Sequence, residues 1–285
     1  MIVSASRRTD IPAFYAPWLE RRLEDGFVLV RNPRNPAQVR RISLAPVDVD
    51  CFVFWTKDAR PLFCLLDRLD DAGYPYYFQW TVTPYDSGLE PGIAPKEEIL
   101  AAFRTLAGRL GPHRVVWRYD PVIVSEEYPA ERHREEFARM CAFLEGSTER
   151  CVLSFVDIYR RNRGSGLREA SPEIMHSLVR SFAESAAGRG ISLQTCCEAE
   201  DFSGEGVPRG ACIDRTLAER LAGHPLDVGK DRNQRLLCGC AASADIGAYD
   251  TCPAGCLYCY AVRDHRTAAA NRARHDPASP FLVPW

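Results

Sequence analysis

A chain of 285 residues that is 46% hydrophobic and 26% charged has the make-up of a soluble globular protein, which excludes disorder and fibre. Its net charge of −2, from 36 basic and 38 acidic residues, excludes a bulk polycation for nucleic acid, although a local basic groove is compatible with it. No apolar run reaches the roughly 18 residues of a membrane-spanning helix. The opening residues lack a basic stretch followed by an apolar one, so no secretory signal and a cytoplasmic location are expected.

In chain order, β-rich runs are predicted at 2–6, 51–56, 76–83, 114–119, 151–157 and 191–196, each dense in Val, Ile, Phe, Tyr or Trp. Several are apolar throughout, as fits strands buried on both faces. Helical spacing runs through 13–25 (Phe14, Trp18, Leu19, Leu23), 95–110 (Ile99, Leu100, Phe103, Leu106), 130–144 and 172–188. Strands alternating with such helices predict βαβ units and a parallel sheet. Without a G-x-G-x-x-G after the first strand, an α/β fold with a partial or complete (β/α) TIM-like barrel over 1–200 is favoured over a dinucleotide fold. Beyond 201, glycines, cysteines and turn residues dominate, with helices expected at 215–221 and 260–274. This cysteine-rich segment, 201–285, is expected to complete the barrel as part of one structural unit.

Polar residues fall where the strands should finish, at Ser4, Ser6, Arg7 and Arg8, at Thr56 and Lys57, at Gln79, Thr81 and Thr83, at Arg118 and Asp120, at Ser154 and Asp157, and at Gln194 and Glu198. In a parallel barrel those ends converge on one mouth, where sites form. The six histidines are scattered, and no H-E-x-x-H, Walker loop or G-x-S-x-G elbow appears. The basic stretch 263–274 reads as a solvated helical face, with nucleic-acid contact as the alternative.

Cysteine is the unusual residue. Twelve thiols without a secretory signal argue against a disulfide framework. Cys51, Cys64, Cys141 and Cys151 lie in apolar stretches and read as packing residues. The other eight fall in the last third. Cys252-Pro-Ala-Gly-Cys256-Leu-Tyr258-Cys259 is a C-x3-C-x2-C run. Three thiolates on one tight loop can cap three irons of a 4Fe–4S cube and leave the fourth without a protein ligand, whereas structural zinc takes four. A second metal site is expected from Cys212, Cys238 and Cys240 with Cys196 or Cys197 as the fourth ligand, holding either an iron–sulfur cluster or a tetrathiolate zinc.

The run of three thiols, with Tyr258 just before Cys259, resembles the motif of the radical S-adenosylmethionine superfamily, and 255–260 looks especially like its spore photoproduct lyase branch. Phe54-Trp55-Thr56-Lys57 and Arg118-Tyr119-Asp120-Pro121 are weaker matches to that branch. The resemblance implies a partial (β/α)6 barrel, a 4Fe–4S cluster on Cys252, Cys256 and Cys259, bound S-adenosylmethionine, and an electron donor such as flavodoxin or ferredoxin. The superfamily carries this loop near the N-terminus, so a circularly permuted core is expected, with 260–274 as its first helix and 2–6 as the following strand. By the same resemblance Ser4, Ser6 and Asp10 would receive the cofactor's amino group. Arg7, Arg8 or Arg118 would fork its carboxylate. Tyr258 and Tyr260 would screen the cluster, and Lys57, Arg118, Asp120 and Asp157 would face the substrate, a nucleic-acid lesion, a peptide or a small molecule. The whole chain is also similar to an uncharacterised family, number 1848 among domains of unknown function, through residues 4–12, 30–33, 54–57 and 245–260. The alternatives from other classes are a zinc-stapled barrel that binds nucleic acid or protein without catalysis, and an iron–sulfur protein that only transfers electrons.

Overall fold

The computed structural model describes residues 1–159 and 163–284. Its elements are β1 (Ile2–Ala5), α1 (Ile11–Phe14), α2 (Ala16–Asp25), β2 (Phe27–Asn32), β3 (Asn35–Ser43), β4 (Cys51–Thr56), α3 (Leu66–Asp71), β5 (Tyr76–Thr81), α4 (Lys96–Leu110), β6 (Val115–Val122), α5 (Ala130–Leu144), β7 (Arg150–Phe155), α6 (Pro172–Ala187), β8 (Ser192–Thr195), α7 (Arg215–Ala222), β9 (Ala244–Asp245) and α8 (His265–Ala273). Seven strands form one sheet in the order β8-β7-β6-β5-β4-β1-β9, and every pairing in it is parallel. All six predicted strands are in it, together with β9. Among the described residues the strand order is linear, with β8 and β9 at its two edges, so the sheet is open and closure into a complete barrel is not seen. No helix among the described residues is long and apolar enough to cross a membrane.

The two faces of the sheet bury different material. Phe52, Phe54, Phe78, Trp80, Trp117, Tyr119 and Leu153 point to the face covered by the helices, and they form the main core with Trp18, Phe103, Phe137 and Phe182. Stacked rings knit that layer together, with Phe137 centred 4.9 Å from Trp117 and 4.1 Å from Phe182. The alternate residues Ile2, Cys51, Val53, Tyr77, Val116 and Val152 face the other way. There they pack on Cys212, Ile213, Leu217, Cys238, Cys240 and Ala241, so the cysteine-rich segment covers the sheet's second face.

Three local departures have physical causes. The single helix expected over 13–25 is two, because Pro17 in the first turn of α2 has no N–H to donate and would clash with the preceding turn, and Tyr15 bends the chain with φ −134°. The final helix starts at His265 rather than 260, where Asp264 caps the N–H groups of Arg266 and Thr267. Strand β6 runs on to Val122 through a register shift between Tyr119 and Val122. Such a bulge re-aims side chains at a strand end. The hairpin β2–β3 was not expected. It seats the C-terminal tail, with Leu29 N donating to Pro280 O at 2.9 Å and the Arg31 guanidinium 3.8 Å above the Phe281 ring.

Candidate functional site

Parallel strands send all their C-terminal ends to one edge of the sheet, where open α/β folds form their crevice. A cavity of ≈ 410 Å³ lies there, within the usual size of a small-molecule site. Residues in the C-terminal halves of β5 and β6, and at or just past the ends of β1, β4, β7 and β8, line it, and so do all seven cysteines expected to hold metal. Of the other expected residues Ser6, Arg7, Arg8, Asp10, Lys57, Arg118, Asp120 and Tyr258 also line it. Ser4 does not. It is fully buried behind the wall, donating to Asp245 Oδ2 at 3.1 Å and accepting from Trp55 Nε1 at 3.1 Å.

The loop 252–259 joins β9 to α8 and is held from below by backbone. Gly92 N donates to Ala254 O at 2.9 Å and Leu257 N to Leu89 O at 3.1 Å. Only glycine fits at 92, since a Cβ there would stand 2.5 Å from Ala254 O. Gly255 takes the left-handed conformation, φ +77°, that lets the loop turn. Backbone N–H groups of Asp10 and Ala254 address the Cys252 sulfur, and those of Ala261 and Val262 address Cys259. Burial pushes the Cys256 thiol up to about 12 against the pull of Lys57, and it raises Cys252 and Cys259 too. Among the described residues no group of three or more His, Cys, Asp or Glu is already arranged to hold a metal ion. The donor set nevertheless suits a cluster, for three soft ligands line one cavity, N–H groups point at two of them, and an ammonium stands beside the third. Hydrogen bonds to sulfur and nearby charge are the levers by which a protein tunes such a group.

Beneath the loop lies a buried carboxylate that the sequence did not announce. Glu90, 1% exposed, accepts from Lys57 Nζ at 2.8 Å, from Thr83 Oγ1 at 2.7 Å, and from Lys96 Nζ and the Tyr258 hydroxyl. Burial alone would raise its pKa, but Lys57 and Lys96 hold it at about 2. Tyr258 is therefore anchored through its hydroxyl, and Lys57 is paired rather than free. Asp10 has a comparable duty, because its two oxygens accept from Ala13 N at 3.0 Å and Lys57 N at 2.7 Å, which fixes the start of α1 to the end of β4. Burial pushes that carboxyl up to about 7.

The remaining cysteines form a second group. Cys212 Sγ stands 3.1 Å from Cys196 Sγ, and Cys240 touches the thiols of both Cys212 and Cys238. Cys197, the alternative fourth ligand, is buried and also lines the cavity, with a left-handed φ of +59°. Arg118 connects this group to the strand ends. Its Nη1 donates to Cys212 Sγ at 2.8 Å and Gln79 Oε1 at 3.2 Å, and its Nη2 pairs with Asp120. Arg7 reaches Asp231 at 3.6 Å and Ser243 Oγ at 3.4 Å, while Arg8 is held most loosely, 3.9 Å from Asp245 and 3.4 Å from Gly247 O. Asp245 ties β9 to β1, accepting from Ser4 Oγ, from Ser6 Oγ at 2.6 Å and from Arg7 N at 2.9 Å. Glu198, buried just past β8, accepts from Phe155 N at 2.9 Å, and burial pushes it up to about 7.

No curated protein and no solved structure matches this chain. One family model does, described as a domain of unknown function, DUF1848, and since it matches residues 2–261 the chain belongs to that family.

Proposed function

We propose that the protein is a radical S-adenosylmethionine enzyme whose 4Fe–4S cluster is held by Cys252, Cys256 and Cys259. The observation that carries this reading is the seat of the three-thiol loop, directly after β9 and before α8, with its thiols in the wall of the cavity where the strand ends gather. The sheet order supports the permuted core. Read from 244 to the C-terminus and then from residue 1, its strands follow one another across the sheet as β9-β1-β4-β5-β6-β7-β8.

When bound, such a cluster would supply the electron that cleaves S-adenosylmethionine to methionine and a 5′-deoxyadenosyl radical, which takes a hydrogen atom from the substrate. The chain's own residues would bind and shield. Lys57, fixed by Glu90, sets a positive charge beside Cys256. Tyr258, anchored on Glu90, screens the thiols from water. Ser6, Arg7 and Arg8, just past β1, offer a hydroxyl and two guanidinium groups to a zwitterionic head group. Arg118 and Asp120 face the same cavity as a fixed pair. A flavodoxin or ferredoxin would deliver the electron in the cytoplasm.

The test is anaerobic purification and reconstitution, then iron and sulfide analysis and an assay for 5′-deoxyadenosine after chemical reduction. The expected result is about four irons and four sulfides per chain, with both the iron and the cleavage lost in Cys256→Ala. A protein that takes up no iron, or a Cys256→Ala variant that still cleaves, would overturn the reading. Iron uptake without binding of S-adenosylmethionine would instead assign the cluster to electron transfer.

A further inference from the structure

The thiols of Cys196, Cys212, Cys238 and Cys240 come from distant parts of the chain to one wall of the cavity, where Cys196 and Cys212 meet and the four are not yet at metal-ligand spacing. Cys196 follows β8, Cys212 precedes α7, and the other two precede β9. Hydrogen bonds fix each of them or its chain neighbour. Cys196 N donates to Leu153 O at 2.8 Å, and Cys238 N to Arg235 O at 3.0 Å. Cys212 O accepts from the Tyr77 hydroxyl at 2.8 Å and Gln79 Nε2 at 2.7 Å. Cys240 Sγ accepts from Ile213 N at 3.3 Å, while Ala241 N returns to Ile213 O at 2.9 Å.

Packing alone does not account for this arrangement. A buried cysteine that only fills space sits among carbon atoms. Here Sγ meets Sγ, a backbone N–H points at one sulfur, and the buried Arg118 aims an N–H at another. A guanidinium donor is far better matched to a thiolate than to a thiol. Four sulfur donors select a soft or borderline ion and reject hard ones such as magnesium or calcium.

We infer that Cys196, Cys212, Cys238 and Cys240 form a second metal site, a closed tetrathiolate that holds one zinc-type ion and pins the cysteine-rich segment across the end of the sheet. The spacing favours a single ion over a cube. At a Zn–S distance of about 2.3 Å, tetrahedral sulfurs lie roughly 3.8 Å apart, so the 3.1 Å pair must open by only about 0.7 Å. A 4Fe–4S cube binds each thiolate to a different iron and needs a much wider opening. Arg118 then serves as the positioning residue that donates to a ligand sulfur, as outer-shell partners of metal sites do. This inference does not depend on the function proposed for the other loop, since the two groups share no cysteine.

The experiment is metal analysis of the full-length protein purified without added metal, on four chains. The unaltered chain and Cys256→Ala should each carry one zinc. Cys212→Ser should carry almost none, and Cys238→Ser, at the margin of the group, covers the event that Cys212→Ser does not fold. In Arg118→Gln, a competing chelator should strip the zinc at about ten-fold lower concentration. With cobalt in place of zinc, the unaltered chain should show the strong near-ultraviolet thiolate-to-cobalt band that Cys238→Ser loses. Zinc that stays in both serine variants would overturn the assignment. So would iron that is lost with Cys212 or Cys238 but kept in Cys256→Ala, or a Cys196–Cys212 disulfide found by alkylation and mass spectrometry.

Discussion

Glu90→Gln is the sharpest probe of how the thiol loop is supported. The carboxylate has no exposed side-chain surface, and it holds two ammonium groups that are each only 15% exposed, Lys57 at 2.8 Å and Lys96. Glutamine keeps the shape and one acceptor oxygen but leaves both cations without a counter-charge. Removing one partner of a buried pair typically costs about 3–5 kcal/mol. For a chain of this size each kcal/mol lowers Tm by roughly 2–4 °C, so a drop of about 6–20 °C is expected. Thermal unfolding followed by circular dichroism at pH 7 reads it directly. Adding Lys96→Met should recover part of the loss, because it removes one of the stranded charges. The acid side gives a second reading. The two lysines hold Glu90 at about 2 instead of its ordinary 4.5, so its contribution is complete above 4.5 and is lost as pH falls toward 2. Glu90→Gln should lack that part of the acid transition. A variant that melts within a degree or two of the unaltered protein would refute the reasoning.

Two further perturbations test other supports. Gly92→Ala puts a Cβ 2.5 Å from Ala254 O, a backbone atom that cannot swing away, so the thiol loop must shift. A loss of about 1–3 kcal/mol and faster proteolysis within 250–260 are expected, and a protease pattern identical to the parent would count against the contact. His133 is fully buried on α5, with Nε2 2.8 Å from Ile123 O and Nδ1 2.8 Å from the Tyr119 hydroxyl. A carbonyl only accepts, so Nε2 carries the proton and Nδ1 accepts from Tyr119. Burial depresses its pKa below the ordinary 6.5. Stability from this residue is therefore present above 6.5 and lost as pH falls below it, a slope that should flatten in His133→Gln in denaturant titrations at pH 5 and 7.

The parts of the fold that show in the sequence are those whose cause is local. The central strands are continuous aliphatic and aromatic runs because both their faces are buried, and such runs stand out without knowledge of partners. Strand β3 is exposed over 35–41 and contains Pro36 and three arginines nearby, so neither alternation nor apolarity marks it. Its hairpin is explained by the tail of the chain, where Arg31 Nη1 donates to Val283 O at 3.0 Å. Strand β9 has two residues, too few for any period, yet it sets the edge from which the thiol loop departs. The site divides in the same way. The three-thiol loop is visible because its ligands share one turn. Glu90 is not, because Tyr258, which donates to it, lies 168 residues away. Asp245 escapes notice for the same reason, its partners Ser4, Ser6 and Arg7 being 238–241 residues distant.

The pairing of the cavity's charges bears on what it can recognise. Arg7, Arg8, Lys57, Arg118 and Arg235 line it, and each has a carboxylate at hand, in Asp231, Asp245, Glu90, Asp120 and Asp157. Matched pairs leave no large excess of one sign, so an anion gains little from long-range attraction. Recognition must then come from exchange, in which a ligand's own charges replace a protein partner at short range. The pairs differ in how readily they exchange. Arg118 is buried and bound to Cys212, Gln79 and Asp120, and Lys57 is locked to Glu90, so moving either would strand a buried charge. Arg8 stands 3.9 Å from Asp245 with its side chain 22% exposed, and its turning would break no short bond. The wall therefore yields most readily at Arg8, because Asp245 keeps its bonds from Ser4, Ser6 and the Arg7 and Gly247 amides when that guanidinium turns.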